Sequence, residues 1–219
     1  KPVFIDDRLF GYAILVAHHN DMGGRVPGSS AADSTEIFQE GLRIPVVKLY
    51  DRGEANETLY KLLSLNVRQP EIVLGDVRAQ LAACEIGERG MRDLVARYGT
   101  AELERSFDAL LDYSERGARA TIRAIPDGVY RFTDYLDDDG VNFNTPVRVQ
   151  VALHVEGDAL TVDFAGTSPQ VEGAINATLS FAKSAIYFAI RSIMVEDVPN
   201  NAGFFRPITA IAEPGCLVN

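Results

Sequence analysis

Clustered positive charge and long apolar runs are both missing from this 219-residue chain, and each absence argues against a class of function. The 21 Lys and Arg residues are outnumbered by 31 Asp and Glu residues, which gives a net charge of −10 without any basic block. Binding to a phosphate backbone needs clustered cations, so nucleic acid is not an expected partner. The longest apolar run, near Phe181–Met194, contains Lys183 and Arg191 and is too short to span a membrane.

Cysteine is also scarce. Cys84 and Cys216 lie far apart, and neither has a partner at CxxC spacing. They therefore argue against a disulfide framework and against a zinc site made of cysteines. Because no signal peptide is visible either, we expect a cytoplasmic protein. Hydrophobic residues make up 47% of the chain and charged residues 24%, which is typical of a globular protein with a sizeable core.

The first part of the chain predicts a strand, a loop and a short helix. RLFGYAILVAHH is rich in aliphatic and aromatic residues, which favours a buried strand that ends at the histidines. Glycines and proline then indicate a loop. DSTEIFQEGL resembles a capped helix, with Asp33 three residues ahead of Glu36 and with Gly41 as its natural end.

Helical periodicity follows up to residue 125. ETLYKLLSLNV predicts a short amphipathic helix, and residues 75–98 predict a long one that is bent near Gly87–Gly90. A second long helix starts at Thr100, and we expect the two long helices to pair as a hairpin.

After residue 126, apolar residues alternate with polar ones instead of recurring at helical spacing. VYRFTDYL, VRVQVALHV and ALTVDFAG predict an antiparallel meander, and residues 180–194 predict a helix that is buried on most faces. The order of elements predicts an α+β fold with one region at 1–125 and another at 126–219.

The stretch VAHHNDMGGRVPGSS carries the most unusual chemistry, and three interpretations of it compete. Its glycines have the spacing of a phosphate-binding loop, but Ser29 stands where such a loop needs lysine. A simple turn is the second interpretation. The third is a metal site, in which one of His18 and His19 joins Asp21, because adjacent residues of a strand face opposite ways. Glu36 and Glu40 share a helix face and could point back at the histidines.

Several blocks, taken in order, resemble the hydantoinase B/oxoprolinase family over essentially the whole chain. They are AHHNDMGGRVPGSS, STEIFQEGLRIPVVKLYDRG, NVRQPEIVLGDVRAQLAACEIGERG and EPGCLVN. Members of that family are typically much longer, so the resemblance implies an internal fragment of a B-type subunit. It also implies that a histidine and an aspartate upstream of this chain share a metal with His18. His19 and Asp21 match neighbouring motif positions and would support this ligand or serve as alternative metal ligands.

The resemblance implies a reaction as well as a site. In this family an A-type ATPase subunit uses ATP and Mg²⁺ to phosphorylate the oxygen of a cyclic amide, and the B-type subunit opens the ring at a Zn²⁺, Mn²⁺ or Fe²⁺ ion. We therefore expect an A-type partner, an oligomer and a hydantoin-like substrate. The amides of Gly23 and Gly24 would meet a phosphate or an oxyanion, and Glu36 would position water or substrate.

Two alternatives stay open. The chain could act only as a scaffold, with its helical hairpin docked on another subunit. It could also belong to a related carboxylase subunit that fixes carbonate. We expect weak metal binding, or none, by the isolated chain, and little activity without its partner.

Overall fold

The computed structural model describes residues 1–194 and 197–219 and has an α+β fold, as the sequence predicts. Contacts divide the chain into two compact units, residues 1–103 and 104–219. The division at residue 125 that the sequence indicates stays a prediction. Within the described residues, no helix is both long enough and apolar enough to cross a membrane. The cytoplasmic location stays a prediction too.

The first unit contains two small hairpins and the first two helices, and part of a third. Its elements are β1 (Pro2–Ile5), β2 (Arg8–Tyr12), β3 (Tyr50–Asp51), β4 (Glu54–Ala55), α1 (Glu57–Asn66) and α2 (Pro70–Tyr98). α3 (Thr100–Arg123) begins at the end of this unit and continues into the second. Asn56 caps the N-terminus of α1, and its side chain accepts a hydrogen bond from the Leu59 amide at 3.1 Å.

The predicted buried strand up to the histidines is wrong, because β2 ends at Tyr12. Its only neighbour in the described structure is β1, which begins at Pro2, so the chain beyond Ala13 has no strand to pair with there. The Ala13 amide makes the last hydrogen bond of this hairpin, to the carbonyl of Lys1 at 2.8 Å. Ile14 and Val16 are 81% and 91% exposed, so an apolar run alone did not indicate burial here.

The predicted helix between Asp33 and Gly41 is reduced to a single 3-10 turn, Ile37–Gln39. A capping box does form, but it joins Glu36 and Gln39. Asp33 instead forms an ion pair with Arg25. The prediction of a capping box is therefore confirmed, whereas its predicted position and the predicted length of the helix are wrong.

α2 is one continuous helix from Pro70 to Tyr98, and the bend near Gly87–Gly90 stays a prediction. Its C-terminus follows the sequence signal. Gly99 has a positive φ of 79°, and its amide donates to the Val95 carbonyl at 2.8 Å. Since α2 and most of α3 belong to different units, their pairing as a hairpin stays a prediction.

The second unit is built on a four-stranded sheet in the order β5-β6-β7-β8, covered on one face by helices. Its strands and remaining helices are β5 (Gly128–Leu136), β6 (Val147–Glu156), β7 (Ala159–Asp163), β8 (Ile208–Ile211), α4 (Leu179–Ser192) and α5 (Ala202–Phe205). The antiparallel meander of β5, β6 and β7 is confirmed. β8, which runs parallel to β7, was not predicted.

The core of the second unit lies between this sheet and α3, α4 and α5. Its buried members are Ala118, Ile122, Val155, Leu160, Val162, Ile186, Ile190, Val198, Phe204 and Ile208. α4 buries only the face that carries Ala182, Ile186 and Ile190, whereas Phe188 is 76% exposed. The prediction that this helix is buried on most faces is therefore wrong. The face that packs on the sheet has the usual amphipathic spacing.

Candidate functional site

The glycine-rich loop of the first unit is organised around the carboxylate of Asp21. The amides of Gly23 and Gly28 donate to its two oxygens at 2.8 and 2.9 Å. The side chain is only 5% exposed, yet these donors hold the pKa of Asp21 well below its usual range, with the Arg68 guanidinium adding to the effect. Each carboxylate oxygen of Asp21 therefore accepts a hydrogen bond from the loop backbone.

Arg68, which follows α1 and lies outside the loop, stabilises the loop through hydrogen bonds. Its guanidinium donates to Asp21 at 3.0 Å and to the carbonyl oxygens of Gly23, Gly24 and Val26 at 3.2, 2.7 and 2.9 Å. A planar group with several donors is suited to bridging one carboxylate and several carbonyls at once. The loop is thus held in one conformation by a residue that is distant in sequence.

Gly23 and Gly24 have positive φ angles of 84° and 80°. A Cβ atom at Gly23 would collide with the carbonyl oxygen of Asn66, and one at Gly24 would collide with the carbonyls of Gln39 and Glu40. The Gly23 amide is used by Asp21, so it is not available to a phosphate in this structure. The Gly24 amide has no acceptor among the residues that the structure describes.

Ser29, the residue at the lysine position of a phosphate loop, closes the turn. Its hydroxyl accepts from the Met22 amide at 2.7 Å and donates to the Gly23 carbonyl at 2.6 Å. These two bonds give Ser29 a structural role that a lysine could not fill. They agree with the expectation that this loop is not a nucleotide-binding loop.

The adjacent histidines have different surroundings. His18 is exposed and makes no hydrogen bond within the described part of the chain. The side chain of His19 is 18% exposed, and its Nε2 lies 3.0 Å from Nε2 of the Gln80 side-chain amide on α2. Its Nδ1 is buried without a hydrogen-bond partner among the described residues, and the nearest Asp76 oxygen is 3.9 Å away. The two side chains therefore do not act as one pair.

Glu36 and Glu40 are both exposed, at the two ends of the 3-10 turn. The Glu36 side chain takes part in the capping box with Gln39. No interaction joins either glutamate to the histidines within residues 1–194 and 197–219, so the structure does not bring them together. The role of Glu36 in positioning water or substrate stays a prediction.

A divalent metal, which the family resemblance implies, needs several donor side chains at one point. The described residues contain no group of three or more His, Cys, Asp and Glu side chains that could hold one. Asp21 has both oxygens occupied, and His19 Nε2 faces Gln80. These residues therefore do not form a complete metal site, and of the predicted ligands only His18 is exposed.

Sequence reasoning missed two residues that shape this region. Arg68 and Gln80 lie inside the blocks NVRQPEIVLGD and GDVRAQLAA, but neither forms a recognisable local motif. Their significance comes from contacts across long stretches of chain, such as the 61 positions between His19 and Gln80. An unexplained arginine inside a matched block was the one available signal.

Comparisons with known proteins match the chain over its whole length. The hydantoinase B/oxoprolinase family model covers residues 1–219. The chain is 37% identical to a putative B-type component of a D-/L-hydantoinase from Pseudomonas sp. (strain NS671), and the match covers all of the chain and 39% of that protein. The chain thus spans well under half the length of such relatives.

Two solved structures have a closely similar fold. The crystal structure of an ATP-dependent caprolactamase from Pseudomonas jessenii matches all of this chain and 38% of its own, with a TM-score of 0.89 and 33% identity. A nucleotide-free acetone carboxylase matches all of this chain and 30% of its own, with a TM-score of 0.88. Its identity of 20% shows a shared fold alone.

Proposed function

Since the chain belongs to the hydantoinase B/oxoprolinase family, we propose that it is part of the B-type subunit of an ATP-dependent enzyme that opens small cyclic amides. The observation that carries this proposal is the similarity to caprolactamase over the full length of the chain, in sequence and in structure. Caprolactamase, hydantoinase and 5-oxoprolinase are the activities in the names of its relatives.

Chemistry explains why such an enzyme would need ATP. A cyclic amide is a poor electrophile because resonance stabilises its C–N bond. Transfer of a phosphoryl group to the amide oxygen makes the carbon more electrophilic, so water can add to it. The ring C–N bond then breaks as the nitrogen takes up a proton, and a second water hydrolyses the resulting acyl phosphate to a carboxylate and inorganic phosphate. We propose that an A-type ATPase subunit, with ATP and Mg²⁺, performs the first step, and that the subunit containing this chain assists the second.

The residues of this chain would contribute to the positioning of reacting groups. The Asp21–Arg68 pair fixes the loop, and the loop begins immediately after the exposed His18 ring. A fixed loop lowers the entropic cost of orienting a reacting group. The Gly24 amide, which has no acceptor among the described residues, is the backbone donor available to an oxyanion. Glu36 remains a candidate for holding water or substrate.

We propose that His18 is one ligand of a divalent metal whose other ligands come from outside these 219 residues. Zn²⁺, Mn²⁺ or Fe²⁺ would suit an imidazole combined with carboxylates, and when bound it would activate water for the attack. Asp21 is better assigned to holding the loop than to the metal, because its two oxygens already accept four hydrogen bonds.

The test is His18→Ala in the complex with an A-type ATPase subunit, with Glu36→Gln as a second variant. We expect the His18 variant to lose both bound metal and ATP-coupled ring opening. Elemental analysis and product formation would be measured on the same preparations. Retained turnover with unchanged metal content would refute the ligand assignment.

A further inference from the structure

A cavity of about 630 Å³ lies beside the glycine-rich loop in the first unit. Its lining includes Gly24, Phe38, Arg43 and Asn66, so the loop and the segment that follows the 3-10 turn both contribute. Small-molecule pockets commonly measure about 300–1,000 Å³, and this cavity falls within that range. It is therefore large enough for a phosphorylated small molecule.

Arg43 brings an uncompensated positive charge to this cavity. It is exposed, and within the described residues it forms no ion pair and no hydrogen bond. Acidic residues outnumber basic ones by 31 to 21 in the chain, yet none of the described ones neutralises Arg43. Its guanidinium carbon lies 5.3 Å from the centre of the Phe38 ring, a cation–π contact that limits where the side chain can point.

Gly24 also lines the cavity, and its backbone amide is a second donor that has no acceptor among the described residues. The positive φ of Gly24 sets the direction of this part of the backbone, and Arg68 holds its carbonyl oxygen at 2.7 Å. A guanidinium and a backbone amide around one cavity form a typical donor set for a tetrahedral oxyanion. Neither group has an internal acceptor in the part of the chain that the structure describes.

We propose that this cavity binds a phosphate-type oxyanion, with Arg43 as the charged contact and the Gly24 amide as the second donor. The inference rests on the proposed function, in which the bound group would be the phosphate of an activated cyclic amide. A carboxylate, such as that of the ring-opened product, offers related chemistry. A carboxylate differs from a phosphate in geometry and in charge, so the two classes of ligand can be distinguished.

Binding to the full B-type subunit that contains this chain can be measured by calorimetry with inorganic phosphate, phenyl phosphate and acetate as separate probes. We expect both phosphates to bind, acetate to bind far more weakly, and Arg43→Ala to weaken phosphate binding by roughly tenfold or more. Arg43→Lys should recover part of this loss, because it restores the charge without the planar donors.

Arg89→Ala is the matched control. Arg89 is also exposed and without an ion pair among the described residues, but it lies on α2 and does not line the cavity. It should leave phosphate binding unchanged. Equal losses in Arg43→Ala and Arg89→Ala would overturn the site in favour of general charge attraction, and acetate binding as tight as phosphate would overturn the phosphate assignment.

The anion site and the proposed function can fail separately. If the complex opens cyclic amides with ATP and Arg43→Ala leaves KM and kcat unchanged, the anion site is wrong and the function stands. If phosphate binds through Arg43 but no cyclic amide stimulates ATP use by the complex, the function is wrong and the anion site stands.

Discussion

Asp21 and Arg68 are the residues on which the conformation of the glycine-rich loop depends most. A buried carboxylate is costly unless it is paired and hydrogen bonded, and here three amides and one guanidinium compensate it. The aspartate that follows two histidines in sequence thus has an architectural role. It fixes the backbone of the loop that contains Gly23 and Gly24.

Arg68→Ala should destabilise the first unit by about 1–3 kcal/mol, since it removes charge-assisted hydrogen bonds from a partly exposed side chain. Arg68→Lys should cost less, because one charge remains next to Asp21. Urea unfolding of both variants gives the comparison. If Arg68→Ala unfolds at the same urea concentration as the parent protein, the fastening role of Arg68 is disproved.

The lowered pKa of Asp21 makes a prediction about acid stability. In an unfolded chain this carboxyl titrates near pH ~4, whereas the loop amides keep it ionised to lower pH in the folded state. Its contribution to stability is therefore complete above about pH 4 and is lost as the pH falls through the folded-state pKa.

Asp21→Asn cannot titrate, so it should be less stable than the parent protein at neutral pH, and the difference should shrink as the pH falls below about 4. Thermal unfolding at a series of pH values would measure this difference. A gap that stays constant through the acid range would show that the carboxylate charge is not what holds the loop.

The histidine pair, the glycines and Asp21 could all be singled out from the sequence, because they form one local motif. Their separate roles could not. The division of work between His18 and His19 depends on Gln80, and the role of Asp21 depends on Arg68. Both partners lie on or next to helices that are distant in sequence, and no local pattern encodes those contacts.

At the scale of elements, the packing of α5 against α3 depends on Gly203. A Cβ atom there would collide with the backbone of Leu111. Gly203→Ala should therefore cost about 1–3 kcal/mol or more, as overpacked core substitutions do. Differential scanning calorimetry would report the change as a lower Tm.

Gly90→Ala is the control for that substitution. Gly90 lies within α2, and a Cβ atom there would meet no neighbour within 4 Å among the described residues. Helix propensity predicts a gain of about 0.5–1 kcal/mol at this site. A loss of stability at Gly90, or none at Gly203, would contradict the packing described above.

The position of a strand within the sheet predicts how strongly its amides are protected from hydrogen exchange. β6 pairs with β5 and β7 on its two sides over residues 152–155, whereas β5 has β6 as its only described neighbour. Amide exchange should be slowest at 152–155 and faster at the alternate amides of β5 that point away from β6. Uniform protection along β5 would indicate that another strand covers its outer edge.

Elements with strong periodicity were predictable, and those that depend on distant partners were not. The alternation of β5, β6 and β7 and the helical spacing of α1 to α4 gave their positions closely. β8 is short and pairs in parallel with β7, so its position depends on the intervening chain. The strand expected before His18 failed because β1 is too short to pair with it.

At the scale of the whole molecule, the chain corresponds to 38% of the caprolactamase that it resembles. A match to only part of a longer protein agrees with the proposal that the chain acts within a larger subunit and a complex.

The most direct test replaces the matching segment of the Pseudomonas jessenii caprolactamase with this chain. The assembled chimera would be assayed for ADP and for ring-opened product from caprolactam, with and without bicarbonate. We predict ADP and product in equal amounts, no need for bicarbonate, and loss of both in the His18→Ala chimera. An assembled chimera that uses ATP only with bicarbonate, or that opens no ring, would contradict the account.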